Sequence, residues 1–437
     1  MSSRKKASSE VYVPPGRRSE GGSSNGGTPL KKEAPETDDV VPPNCCDDEE
    51  ERETKYQNLE QQFGAIAIGS SSSSNWRSQM NPTGLSKEFQ EMNIARRSAG
   101  KTDLLQKSTR RLGGSKNQNN EQDVTSSGDI IDYFLQLNVP YIDSHCHTDY
   151  MYTSLARRKT NSNEGLLDWI EKYPRAFPKC FFGLIANFIK PDLFVDVKGN
   201  SSYDVEWIVK ELASPLYLGT TWGCHPHFAQ HWGRMGVFWT TMEYILSDAE
   251  EWKVLAVGEC GIDLHRCESE LEVQKDVFEK HVALAFKFKL PLVIHCRNGS
   301  KGRAEEECLQ ILKKKMDVNH KFLKIHRHCF TENWEVAQMW LKQCPDVHFG
   351  FTPAVFTMGA PQIQAIRNIP LDRILLETDG PYFKPKCYDG VAPPKVCLPG
   401  MAIATASKIA EIKNLPIEEV LRATFNNTRR VYQLPVY

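Results

Sequence analysis

Apolar, β-rich runs of strand length recur from about residue 140 to residue 382, and most are followed by a stretch whose apolar positions repeat with helical period. The runs are YIDSHCH, CFFGLIANF, YLGTTWGCHPH, VLAVGECGID, LPLVIHCR, LKIHRHCF, VHFGFTPA and RILLETDGPY. Between them, NEGLLDWIEKY, YDVEWIVKELA, VFWTTMEYILSDAEEW, LEVQKDVFEKHVALAFKFK, AEEECLQILKKKM and WEVAQMWLKQC predict amphipathic helices. Strands that alternate with helices pair in parallel. Eight such units in about 300 residues predict an α/β fold of the (β/α)8 TIM-barrel type. A doubly wound sheet with an extra strand is the structural alternative, and no G-x-x-x-x-G-K loop or internal repeat competes with either.

The rhythm is missing before residue 128. There the chain is rich in Ser, Gly, Asn, Pro and charge, in blocks such as EGGSSNGGTP, DDEEERE and GSSSSSN. With so little to bury, ordering this segment would cost more conformational entropy than burial returns. Residues 1–127 therefore read as a disordered extension, and 128–437 as the folded domain. SRKK, GRR and LKK are candidate pieces of a nuclear address or nucleic-acid tether, with a solvated polyampholyte tail as the plainer reading. FGAIAIG and LSKEFQEMNIARR are candidate motifs for a protein partner.

Composition narrows the class. A net charge of −1 gives no general basicity from which to argue a nucleic-acid partner, so any such binding has to rest on local charge. The thirteen cysteines form an odd set without C-x-x-C spacing, which argues against both a disulfide framework and a zinc ribbon. They read as reduced intracellular thiols. The chain has no run of eighteen or so apolar residues, and its start, MSSRKKASSE, lacks the apolar core of a signal peptide. An intracellular protein, nuclear or cytoplasmic, with no membrane partner is the expectation.

Candidate chemistry gathers where strands end. Active sites of such barrels sit at the carboxyl ends of the strands. His145 and His147 close the first run, Glu259 the fourth in VGEC, His295 the fifth, His328 the sixth and Asp379 the eighth in ETDG. Residues two apart on a strand share a face, so His145 and His147 can converge on one ion. His326 shares parity with His328, and His328 is preferred because it lies nearer the strand end. Four imidazoles and two carboxylates exceed the needs of one ion and predict two divalent metals, with Glu259 as the bridge. Two such ions clamp the attacking and leaving oxygens of a phosphoryl displacement, so phosphoester hydrolysis is the reaction expected from chemistry alone. His225 and His227 in GCHPH, Arg297 and Lys384 border the same rim. Arg297 and the two histidines are candidate phosphate contacts. Phe330, Trp222 and Tyr382 are candidates for stacking on bases.

On these residues the chain resembles the TatD-related deoxyribonuclease family. DSHCHTD, GECGID, LPLVIHCR, HCF and LLETDGPYF stand in the family's order, and the resemblance runs from about Pro140 to the final PIEEVLRATFNNTRRVYQLP. It implies a metal-dependent nuclease that hydrolyses phosphodiester bonds of DNA or RNA, acting as a 3′-5′ exonuclease on single strands or 3′ ends, with Mg2+, Mn2+ or Zn2+. It further implies His145, His147, Glu259 and Asp379 around one ion and Glu259, His295 and His328 around the other. Asp379 would serve as base for the attacking water, and His225 and Arg297 as phosphate contacts. HCFTEN replaces the family's common H-C-F-T-G, Asn298 stands where an acidic residue often follows Arg297, and KCYDGVAPPKVCLPG replaces a shorter loop. These departures alter the walls and leave the metal set intact. Two rivals remain from the residues: an amidohydrolase-like small-molecule hydrolase, against which Glu259 stands where such barrels often carry a modified lysine, and a non-catalytic barrel that serves as a binding scaffold.

Overall fold

The computed structural model describes residues 127–156, 164–196, 206–234, 236–265, 267–300, 302–319 and 323–435. The extension over 1–127, with its candidate address and partner motifs, lies outside the described residues, Ser127 excepted.

Eight strands form one sheet: β1 (Tyr141–Cys146), β2 (Phe181–Phe188), β3 (Tyr217–Trp222), β4 (Val254–Asp263), β5 (Leu292–Arg297), β6 (Ile325–Arg327), β7 (Val347–Phe351) and β8 (Ile374–Leu376). Their spatial order is their sequence order and every laddered pair is parallel. β8 returns beside β1, where Asp379 N donates to His145 O at 3.0 Å and His147 N to Gly380 O at 2.8 Å. These bonds lie past the end of β8, so the ring closes at its rim.

All the strand-length runs are occupied by strands, and the six expected helices form at Leu166–Lys172, Glu206–Leu212, Gly236–Ser247, Leu271–Phe288, Ala304–Asn319 and Trp334–Gln343. Further helices at Ser127–Gln136, Thr148–Ala156, Ala360–Asn368, Ala402–Lys413 and Ile417–Tyr432 were not anticipated. Ala402–Lys413 is buried on most of its circumference, and such a helix lacks the polar face that makes a helical period readable. Among the described residues no helix is long and apolar enough to cross a membrane.

The barrel interior has a floor and a mouth. Ile185, Ala256, Val293 and Leu375 pack with Val431 and Tyr432 of the last helix, which plugs the barrel from below. Two residues further along the chain from Ile185, Val293 and Leu375 the side chains turn polar, to Asn187 and His295 on their strands and Glu377 just past β8. Two glycines make room for this layer. A Cβ on Gly261, whose φ is +151°, would fall 1.8 Å from the His295 carbonyl oxygen, and one on Gly350 would fall 2.3 Å from His326 Nε2.

Three strand ends differ from expectation. β4 does not stop at Glu259. Its ladder with β5 shifts register between Val257 and Cys260 and then continues to Asp263. β6 and β8 are only three residues long, so His328 and Asp379 stand beyond their strands. In each case the chain soon turns through a left-handed residue, Cys329 at φ 45° and Asp379 itself at φ 52°, which a ladder cannot continue through.

Candidate metal centre

The six predicted ligands converge on the mouth. His145 Nε2 lies 3.5 Å from Glu259 Oε2 and 3.8 Å from Asp379 Oδ1, and His147 Nε2 lies 3.6 Å and 3.3 Å from the same two atoms. The other Glu259 oxygen faces a second group: Oε1 is 2.9 Å from His295 Nδ1 and 3.7 Å from His328 Nε2. His328 Nε2 is also 3.7 Å from Asp379 Oδ1, and its ring stacks on that of His145 with centroids 3.7 Å apart. One carboxylate thus turns its two oxygens to two sets of nitrogen donors.

Partners on the far side of three of the four rings settle which nitrogen faces the centre. Glu377 Oε2 lies 3.2 Å from His328 Nδ1 and Asp263 Oδ2 lies 3.0 Å from His295 Nε2, while the Asn187 carbonyl lies 3.2 Å from His147 Nδ1. A donated N–H on one nitrogen leaves the other with a free lone pair, which is the ligand form of imidazole. His326 is turned away from the centre, with Nε2 2.8 Å from Glu377 Oε2 and Nδ1 2.6 Å from the Tyr432 hydroxyl. The parity ambiguity between His326 and His328 is therefore decided by the carboxylate between them. Asn187 holds Glu259 from two sides, accepting from its backbone N–H at 2.9 Å and donating to its Oε2 at 3.1 Å.

Electrostatics follow from crowding these groups out of water. Burial by itself would raise the Glu259 carboxyl, but the His328 charge and hydrogen bonds with His145 and His295 hold it well below the usual carboxylate range. Glu377 and Asp263 are depressed against their burial in the same way, Glu377 by His328 and His326, Asp263 by His227 and His295. Burial opposes protonation of His328, yet the Glu377, Glu259 and Asp379 carboxylates push it up to about 10. His145, buried beside His328, falls to about 4. His225 falls well below its ordinary value through burial and the neighbouring His295 and His227. Without an ion, the buried carboxylates draw protons onto neighbouring imidazoles. A divalent cation supplies the same positive charge and releases those protons, so the donor set fits divalent metal binding.

The expected substrate contacts fall out differently. His225 Nε2 reaches within 3.8 Å of Glu259 Oε1 and groups with Asp263 and His295. His227, partly exposed, has Nε2 3.3 Å from Asp263 Oδ2. Arg297 ends β5 in register with Asp263, half-buried, and among the described residues no carboxylate pairs with its guanidinium. Lys384 pairs with Asp389 at 3.0 Å. Trp222 and Phe330 are not stacking platforms: both are fully buried, Trp222 among Phe188, Phe194 and Trp252, and Phe330 against Phe349 and Phe351. Tyr382 is half-exposed at the rim.

Residues 142–433 match the family described as TatD related DNase. The chain belongs to this family. Among its relatives, the human protein named 3′-5′ RNA nuclease TATDN2 is 35% identical over 300 residues, which are 67% of this chain and 35% of that protein. The chain thus spans about a third of the length of that relative. The Erwinia tasmaniensis protein named 3′-5′ ssDNA/RNA exonuclease TatD is 30% identical over 222 residues, 50% of this chain and 80% of that one. In fold, the chain is similar to a TatD family hydrolase of Entamoeba histolytica, with a TM-score of 0.53, 19% identity, and coverage of 69% of this chain and 100% of the other.

Asn187, Asp263 and Glu377 escaped the reading of the sequence. Each stands at or just past the end of a predicted strand, so the rim rule that singled out Glu259 applied to them equally. What hid them is that their contacts are with His and Glu side chains distant in sequence, and such contacts carry no spacing of their own.

Proposed function

We propose that the chain is a metal-dependent nuclease that hydrolyses phosphodiester bonds of single-stranded DNA or RNA as a 3′-5′ exonuclease, and that it works with two divalent ions. The observation that carries the reading is the division of the Glu259 oxygens between the His145/His147 side and the His295/His328 side. The names of the human and Erwinia relatives support the polarity and the substrate class. His145, His147, Glu259 and Asp379 would hold one ion and Glu259, His295 and His328 the other, with Mg2+ or Mn2+ as the expected metals and Zn2+, which imidazole donors suit, as the alternative. Bound there, such ions supply Lewis acidity toward the phosphate and make a water nucleophile available near neutral pH.

The chain's own groups then have distinct tasks. Asp379 presents Oδ1 3.3 Å from His147 Nε2 at the open side of the cluster and takes the proton of the attacking water. His225, aimed at the same centre from the loop after β3, and Arg297 from the rim of β5 orient the non-bridging oxygens of the phosphate. His227, partly exposed at the rim, shares Asp263 with His295 and offers a further contact to the substrate.

The test is hydrolysis of 5′-labelled single-stranded DNA and RNA by the full chain with Mg2+, Mn2+ or Zn2+, with His145→Ala as control. The expected result is a ladder shortening from the 3′ end that is lost with EDTA and in the variant. Bound metal without cleavage of either strand would turn the reading toward a small-molecule hydrolase or a barrel kept for binding.

A further inference from the structure

Two tyrosines on opposite sides of the barrel seam flank the candidate metal centre. Tyr150 follows His147 by three residues in the helix Thr148–Ala156, and its ring meets the His147 imidazole edge to face at 5.3 Å between centroids. Tyr382 follows Asp379 by three residues, and its backbone N–H closes a turn onto the Asp379 carbonyl at 3.0 Å. The two rings lie 6.4 Å apart with planes inclined by 51°. Both side chains are partly exposed, whereas the His147 beneath them is buried.

Tyr150 is braced from a third side. The Lys190 ammonium, from the loop after β2, sits 3.9 Å from the centre of the Tyr150 ring and 3.0 Å from Asp149 Oδ2. Paired with the buried Asp149, the Lys190 ammonium is held as a cation against an aromatic ring. A ring fixed by His147 and by Lys190 loses little further freedom when a ligand packs on it, which favours binding.

From this placement we infer that Tyr150 and Tyr382 form the subsite for the base of the 3′-terminal nucleotide, holding it beside the group formed by His145, His147 and Asp379. The inference rests on the nuclease reading above and adds the residues that recognise the terminal base. An inclination of 51° makes an open wedge rather than a parallel clamp, so a base stacks on one ring and meets the other with its edge. That contact uses the π-face common to all four bases and so tolerates sequence, as an exonuclease requires. The chemistry recognised is an unpaired heteroaromatic base, which is absent from an abasic terminus.

The experiment compares two single-stranded substrates that differ only in whether the 3′-terminal nucleotide carries its base, using the full chain, Tyr150→Ala, Tyr382→Ala and Tyr150→Phe, with Mn2+ binding measured for each. The wild type should prefer the intact terminus by about tenfold in kcat/KM, the scale of one aromatic stacking contact. Both alanine variants should bind Mn2+ as the wild type does, lose that preference and fall to the abasic rate, while Tyr150→Phe keeps the preference. Equal wild-type rates on the two termini would overturn the subsite. So would variants that slow both substrates alike or lose Mn2+, since the tyrosines would then merely support the cluster. Absence of cleavage of either substrate by the wild type would instead sink the nuclease reading, a result distinguishable from the others.

Discussion

Asp379 reaches the mouth through a left-handed turn that points its side chain, 13% exposed, at His145 of β1, at His147 just past that strand and at His328. Glu377, two residues earlier, is wholly buried and meets His326 Nε2, His328 Nδ1 and the Cys329 N–H. The two carboxylates therefore fail differently. Asp379→Asn should keep the fold and most metal while turnover falls by about two orders of magnitude or more, the worth of a positioned base. Unchanged turnover, measured alongside Mn2+ content, would remove Asp379 from that role. Glu377→Gln keeps the shape but no longer attracts the N–H of His328 as an anion does. Mn2+ affinity should fall by about ten- to a hundredfold, as seen for partners of metal-bound histidines. Titration calorimetry reads this directly, and an affinity equal to that of the wild type would mean that His328 needs no such partner.

Pairing between β4 and β5 sets the height at which Glu259 stands. The register shift after Val257 leaves Glu259 out of the regular ladder, and pairing resumes from Cys260 with Ile294 to Asp263 with Arg297. Gly261 faces His295 across this resumed stretch. Its +151° φ and the 1.8 Å approach a Cβ would make to a backbone oxygen leave no room for any side chain. Gly261→Ala should lower the urea midpoint by the equivalent of about 3 kcal/mol or more, placing it among strongly destabilising substitutions. A loss under about 1 kcal/mol would mean that the two strands separate easily there. Strand identity along this hairpin-free sheet was legible from residue type, because strands buried on both faces read as continuous apolar runs. Strand length was not: in VGECGID nothing local says whether the ladder ends at Glu259 or survives to Asp263.

The chain also carries buried histidines outside the proposed metal set. His281, on the helix Leu271–Phe288, lies 2.8 Å from the Val277 carbonyl through Nδ1 and accepts from Cys224 N at 3.1 Å through Nε2, so it must be neutral. Burial lowers it to about 4 from an ordinary 6.5. Between those pH values the unfolded chain binds the extra proton and the folded one does not. The stabilisation is therefore complete above about pH 6.5 and declines as the pH falls toward 4, by about 3 kcal/mol from this one group. His281→Gln should be less stable than the wild type at pH 7.5 but should show a flatter decline to pH 4 in urea midpoints. Parallel profiles for the two proteins would show that the folded imidazole titrates normally.

Across the whole chain, alternating strand and helix patterns, the change of composition near residue 128 and the polar groups at strand ends sufficed for the barrel class and for the six residues that meet in its mouth. These follow from local physics, since period, β-branching and a terminal His or carboxylate are written in consecutive residues. Tertiary structure decided the rest. That His328 and not His326 faces the centre depends on Glu377, which is 51 and 49 residues away from them in sequence but 2.8 Å and 3.2 Å away in space. That Trp222 and Phe330 belong to the core while Tyr150 and Tyr382 share the rim depends on which elements pack over each ring. Such pairings join residues far apart along the chain, and only the closure of the sheet around its floor brings them within reach.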